Sequence, residues 1–379
     1  VTAVDRRGAS STDGTSSTGG TVAAGAAGAA GIPAPTEPLS GPRHDGAAQV
    51  VAVRGAAETG TAAETGTAAG EAPAGAVRLL VPASSANLGP GFDALGLALG
   101  LYDDVSVRLT STGLTVDTVG ADTVPADEAH LVVRSIRATF DELGLPQPGL
   151  ALRCVNRIPH GRGLGSSAAA IVAGVVAADA LAGSPLGPAG LLRVATAIEG
   201  HPDNVAAALL GGLTVAWYEA GVPRAVRVAP PAEVRPVLFV PSVRQSTEQA
   251  RGALPERVPH ADAAVNAGRA ALLALALSAA EPAAGEGTER SKLLLAATED
   301  RLHQPYRLPA QPASADLVAR LRAEGVPAAL SGSGPSVVAL AVGGGQAAAA
   351  IGVPAPGFSV IPLTVDTEGA RLQPLDSKG

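Results

Sequence analysis

The sequence predicts an α+β protein of two lobes behind a low-complexity tail. Strand-like and helix-like segments alternate irregularly after residue 75, with no repeating βαβ unit. Roughly 300 residues follow the tail, enough for two domains at the usual ~100–200 residues each. A proline-marked stretch at 230–241 offers the junction, so the expected lobes are 76–235 and 236–372.

In chain order, the first lobe should hold strands at 77–81, 104–109, 150–155, 213–217 and 225–228, each a short run rich in β-branched or alternating apolar residues. Helices are expected at 128–143, 168–181 and 188–199, because each apolar-periodic run stops at a glycine suited to a left-handed C-cap: Gly144, Gly183 and Gly200. The second lobe should open with a strand at 234–240. Helices at 260–279, 289–298 and 315–324 follow, then strands at 328–330, 337–342 and 358–363.

Residues 1–75 are dominated by Ala, Gly, Ser and Thr and repeat Ala-Ala-Glu-Thr-Gly-Thr at 56–61 and 62–67. Too few large apolar side chains are present to offset backbone ordering at ~1–2 kcal/mol per residue, so this tail is expected to be disordered. Arg6-Arg7 is followed by no apolar segment of the kind a secretory signal requires, and no apolar run approaches the ~20 residues that span a bilayer. The single cysteine, Cys154, fits a reducing compartment, and the expected location is cytoplasmic. A net charge of −7 with no basic cluster argues against nucleic acid, and no membrane partner is expected.

Chemistry concentrates first in Pro159-His160-Gly161-Arg162-Gly163-Leu164-Gly165-Ser166-Ser167-Ala168-Ala169. Three alternate glycines let the backbone turn its N–H groups toward an anion, and the serines stand where a helix N-cap belongs. The loop should therefore cradle phosphate. It is not a Walker A loop: the two lysines, Lys292 and Lys378, follow no glycine. A dinucleotide fingerprint begun at Gly161 would need glycine where Ser166 stands. Three more segments read as site loops: 82–93 with Asn87 and Asp93, 199–205 with Glu199, His201, Asp203 and Asn204, and 331–336, Ser-Gly-Ser-Gly-Pro-Ser.

In order and content these four segments resemble the GHMP kinases, the superfamily named for its galactose, homoserine, mevalonate and phosphomevalonate members. Segments 82–93 and 199–205, with Ser246-Thr247-Glu248-Gln249-Ala250-Arg251 and His303-Gln304-Pro305-Tyr306-Arg307, are similar to its homoserine-phosphorylating branch. The resemblance leaves the tail uncovered. It implies a two-lobed fold, with an N-terminal nucleotide-binding lobe and a C-terminal ferredoxin-like lobe. It further implies phosphorylation of the L-homoserine side-chain hydroxyl on the way to threonine, with ATP and Mg2+ as cofactors, and leaves room for a homodimer. Residues 159–169 would wrap the ATP phosphates, and Ser167 and Glu199 would hold the metal. Asn87, Asp93, His201, Asp203, Thr247, Arg251 and Arg307 would bind the substrate, and Asn204, Asp203 and His201 would serve catalysis. Some members carry a longer insertion before the His-x-Asp-Asn unit, whereas here only Gly200 separates it from Glu199.

The residue chemistry agrees with an amino-acid substrate. Arg251 and Arg307 suit a carboxylate, and Asp93 and Asp203 suit an ammonium group. Asn204 cannot take a proton at neutral pH. A loose phosphoryl-transfer transition state needs alignment and charge more than a strong base, so the proton is expected to leave late. Asp203 stays open as a base. Two other readings remain at this point: a GHMP kinase for mevalonate or a sugar, and a GHMP-fold metabolite sensor without turnover.

Overall fold

The computed structural model describes residues 51–52, 75–120, 122–278 and 287–375. Apart from residues 51–52 and 75, the expected tail lies outside these residues. The elements run β1 (Val51–Ala52), β2 (Ala76–Asn87), β3 (Gly91–Thr110), β4 (Leu114–Val119), α1 (Leu131–Glu142), β5 (Gly149–Val155), α2 (Ser166–Leu181), α3 (Gly187–Glu199), α4 (Pro202–Leu210), β6 (Leu213–Glu219) and β7 (Val222–Val228). Then come β8 (Val234–Pro241), α5 (Thr247–Gly252), α6 (His260–Ala276), α7 (Gly287–Ala297), α8 (Gln304–Arg307), a 3-10 turn, α9 (Pro312–Ala323), β9 (Ala328–Leu330), β10 (Val337–Val342), α10 (Gly343–Gly352), β11 (Phe358–Pro362) and β12 (Arg371–Gln373).

Among the described residues the first sheet has eight strands, in the order β1-β7-β6-β3-β2-β12, with β5 also on β3 and β4 on β5. All of its pairs are antiparallel except β4 with β5. The second sheet, β11-β8-β10-β9, is antiparallel throughout. With helices between β8 and β9 and between β10 and β11, it is the β-α-β-β-α-β arrangement expected of a ferredoxin-like lobe. Side chains alternate across β8 and β10: Val237, Phe239, Val337 and Ala339 join one core with Leu317 and Leu321. Leu238, Val240, Val338 and Leu340 join the larger core of the first lobe with Leu273 and Leu294. Burial on both faces explains why these strands read as continuous apolar runs.

Several elements differ from expectation. Helix α1 begins at Leu131 and not 128, because Asp127 Oδ1 accepts from Ala129 N (2.9 Å) in a local turn and Glu128 pairs with Arg137. Strand β3 runs far upstream of 104, and its pairing with β2 shifts register at Pro82/Ala83 and Ala86/Asn87. At the second shift, Asn87, Leu88 and Asp93 all take left-handed backbone angles (φ 66°, 51° and 55°), which is costly for a buried leucine. The second lobe holds this turn: Asn266 Nδ2 donates to Pro90 O (2.7 Å) and Asn87 Nδ2 to Gly332 O (2.9 Å). The chain finally returns to the first sheet, where β12 pairs with β2 and buried Asp366 accepts from Tyr102 Oη (2.9 Å) and Arg371 (3.0 Å).

Candidate active site

The phosphate loop is shaped by three left-handed glycines, Gly161, Gly163 and Gly165 (φ 66°, 73° and 67°). Gly165 occupies the N-cap of α2, so Ser166 and Ser167 are its first helical residues and not its caps. A Cβ on Gly165 would stand 2.0 Å from Ser84 Oγ and 3.0 Å from Asn204 Oδ1, so this glycine is required by neighbouring side chains as well as by any anion. Gly163 is needed for a different contact: its Cβ would lie 2.2 Å from Ser331 O and 2.7 Å from Gly334 O. The loops are stitched there, with Ser84 N donating to Leu164 O (3.1 Å) and Gly332 N to Ala86 O (3.0 Å). Gly163→Ala is therefore expected to lower Tm by roughly 5 °C or more, since left-handed strain and a backbone collision add. Gly161→Ala, whose Cβ would find its nearest atom at 3.5 Å, should cost less in the same thermal melts.

The segment 199–205 is not a loop. His201 N-caps α4, Pro202 is its first residue, and Asp203 sits in its first turn, where a carboxylate suits the positive helix end. Asp203 is buried, and its Oδ1 accepts from His201 Nδ1 (2.9 Å) and Asn204 N (2.8 Å). That bond to Asp203 holds the His201 pKa above its ordinary value, against burial, which pulls it down. The charged imidazole thus contributes stability fully present below the unfolded pKa of about 6.5 and lost as pH rises through the higher folded value. His201→Gln should flatten the decline of Tm above pH 6.5 in a pH series of melts.

Serine 84, buried in β2, donates to Asn204 Oδ1 (2.9 Å) and so leaves the Asn204 Nδ2 protons for another partner. Ser167 Oγ donates to Glu199 Oε2 (2.7 Å) at the start of α2. Burial raises the Glu199 pKa, with the Ser167 hydroxyl acting in the opposite sense.

Ser167, Glu199, His201, Asp203 and Asn204 line one cavity of about 210 Å³ with Asn87, Asp93, Arg251, Arg307, Gly161, Gly163, Leu164, Gly165 and Ser166. Pro159, His160, Arg162, Ala168 and Ala169 do not line it. Arg162 faces away from it and donates to Pro241 O (2.9 Å) and Ser242 O (3.0 Å), tying the loop to β8. Thr247 opens α5, but its side chain lies outside the described residues. Gln245, Ser246, Gly332 and Ser333 line the cavity although no role was expected of them individually. Ser246 and Gly332 fall inside strings that stand out in the sequence; Gln245 carries no such signal, and its N–H donates to Gly161 O (2.8 Å).

Asp93 and Arg251 do not stand open for separate charges: Arg251 donates to both Asp93 oxygens (2.7 and 3.2 Å). Asn87 is committed at both ends, its Oδ1 accepting from Asp93 N (3.0 Å). Arg307 is buried; burial first, then the Arg251 charge, lowers its pKa from the usual guanidinium range.

An adjoining, mostly apolar cavity of about 230 Å³ shares Ser166 and Ser167 and is lined by Val124, Pro125, His130 and Val132. His130 is buried, its Nδ1 has no hydrogen-bond partner among the described residues, and burial lowers its pKa. A larger groove of about 620 Å³ lies on the first sheet, but its lining of strand residues such as Arg78, Asp104 and Arg153 includes none of the four segments.

A family model described as the GHMP kinases N terminal domain matches residues 130–212, and one described as GHMP kinases C terminal matches residues 275–352. Homoserine kinase of Streptomyces avermitilis is 56% identical over 306 residues, covering 76% of this chain and 97% of its own. That of Mycobacterium tuberculosis is 47% identical over 306 residues, covering 78% and 93%. The crystal structure of homoserine kinase from Cytophaga hutchinsonii matches with a TM-score of 0.68 at 27% identity, over 82% of this chain and 100% of its own. L. major mevalonate kinase in complex with R-mevalonate shares the fold, with a TM-score of 0.57 at 17% identity over 76% and 96%.

Proposed function

The chain belongs to the GHMP kinases and, within them, to the homoserine kinases, and from that premise we propose how its residues divide the work. It uses ATP to phosphorylate the side-chain hydroxyl of L-homoserine, forming O-phospho-L-homoserine for threonine biosynthesis. The observation that carries the residue assignment is the convergence, in one cavity, of a helix N-terminus with its glycine loop and a set of two arginines and two aspartates.

Backbone N–H groups of 161–167 and the positive end of α2 hold the phosphates, while Pro159, His160, Arg162, Ala168 and Ala169 support the loop from behind. The nucleobase occupies the adjoining apolar cavity, where His130 Nδ1 offers an unpaired polar atom. Ser167 and Glu199 fit a magnesium ion: two hard oxygen donors lie side by side, and a half-buried carboxylate whose pKa is raised by desolvation gains from a cation. When bound, the ion would neutralise developing charge on the phosphates. On the substrate, Arg251 and Arg307 take the carboxylate, and Asp93 and Asp203 take the ammonium group. Asn204 Nδ2 lies toward the attacking hydroxyl. The amide accepts no proton, so alignment and charge do the catalysis and the proton passes to phosphate or water.

An ADP-release assay over homoserine, serine, threonine, mevalonate and galactose tests the reading. Homoserine should lead by at least a hundredfold in kcat/KM, and equal turnover of mevalonate would overturn it. For the metal, Glu199→Gln should raise the Mg2+ concentration needed for half-maximal rate by tenfold or more. It should also raise the metal-free Tm at pH 8 slightly, because a partly desolvated charge is gone. A magnesium titration overlaying the parent would move the metal elsewhere.

A further inference from the structure

Two guanidinium groups stand close together in this cavity, and only one has a carboxylate. Asp93 pairs bidentately with Arg251. No carboxylate lies within ion-pair distance of Arg307 among the described residues. Its bonds go to Ala250 O (3.3 Å), Gly332 O (3.4 Å) and the imidazole of His303 (3.1 Å). Like charges that share a partly desolvated site repel, so something must hold both in place before substrate arrives.

Phe92, between Gly91 and Asp93, meets the geometry for that task. The Arg251 and Arg307 guanidinium carbons lie 5.8 and 5.4 Å from its ring centroid, inside the ~6 Å range over which an aromatic face attracts a cation. His303 stacks on the same ring, with centroids 5.5 Å apart and planes at 29°. Because Arg307 donates to Nδ1, the imidazole is neutral, and its Nε2–H donates to Gly89 O (2.8 Å). Burial lowers the His303 pKa and keeps it so. The ring thus lies within reach of both cations and stacks on an uncharged imidazole that is bonded to the backbone of Gly89.

We propose that Phe92 is a positioning residue for recognition of the substrate carboxylate, its π face holding Arg251 and Arg307 side by side in the geometry that grips the acid. The inference rests on the assignment of these arginines to the carboxylate. Holding them in advance removes an ordering cost that would otherwise fall on substrate binding. Phe92 does not itself line the cavity, so its influence falls on KM for homoserine and not on kcat.

Replacing Phe92 with mono-, di- and trifluorophenylalanine keeps the ring's shape while draining its negative face. The KM for homoserine should climb stepwise, to about tenfold for the trifluoro ring, with kcat, KM for ATP and Tm unchanged. For homoserine amide the series should be flat. Phe92→Leu, checked for folding by Tm, should exceed the trifluoro effect. A flat series for homoserine alongside a large effect of Phe92→Leu would reduce the ring to a spacer and overturn the proposal. So would equal slopes for acid and amide. Should the parent treat acid and amide alike, the carboxylate assignment falls instead, whatever the series shows.

Discussion

Asn204→Ala is expected to lower kcat by on the order of 10²–10³, the usual cost of removing one placed donor from a transition state. KM for ATP and for homoserine should stay within a few-fold. The expectation follows from Ser84, whose hydroxyl occupies Asn204 Oδ1 and turns the Nδ2 protons to the cavity. The sharper control is Asn204→Asp, which keeps size and can still accept from Ser84 but has no proton to give. If Asn204 acts as a donor, this variant should be as poor as alanine. Steady-state kinetics showing aspartate at or above the parent would mean that the position works as a base, and the proton-transfer assignment would have to be reversed.

Arg307→Ala should lower kcat/KM for homoserine by roughly thirty- to several-thousandfold, the equivalent of ~2–5 kcal/mol for truncating one member of a buried charge pair. ATP affinity should change little. The arginine is 2% exposed, and deleting it also strands the two carbonyls and the imidazole nitrogen it serves. Lysine should rescue only in part, lacking the planar fork. The Asp93–Arg251 pair adds a test of opposite sign. A zwitterion can divide that pair, giving each member a new partner, whereas 4-hydroxybutanoate takes Arg251 and leaves Asp93 bare. Asp93→Asn should therefore weaken homoserine while improving 4-hydroxybutanoate, both measurable as kcat/KM. A loss for both ligands would show that Asp93 acts through the fold of its turn.

The phosphate loop was legible because Gly161, Gly163 and Gly165 leave little else for the chain to do, and α2 because its apolar residues run on to a glycine stop. Helix α4 was not: His-Pro-Asp-Asn looks like a turn, although Pro202 at the first helical position ahead of an apolar run was the available signal. The first half of β3 was hidden behind Gly91, Gly96 and Gly100, glycines that in the structure make room for close neighbours. Helix α10 was masked in the same way by three glycines at its start. The contacts that tune the site, such as Arg251 with Asp93 across 158 positions, are products of tertiary packing and leave no local pattern to read.

Synthesis from the N-terminus meets a consequence of the C-terminal return. Strand β12 covers the edge of β2, and the Tyr102–Asp366 bond that secures it joins residues 264 positions apart. Until the ribosome has delivered that last segment, the nascent first lobe presents β2 as an unpaired strand edge, the kind of surface that recruits other chains. The lobe made first must therefore wait for the lobe made last, and chains cut short before residue 366 should be lost to aggregation rather than survive as a folded nucleotide-binding half.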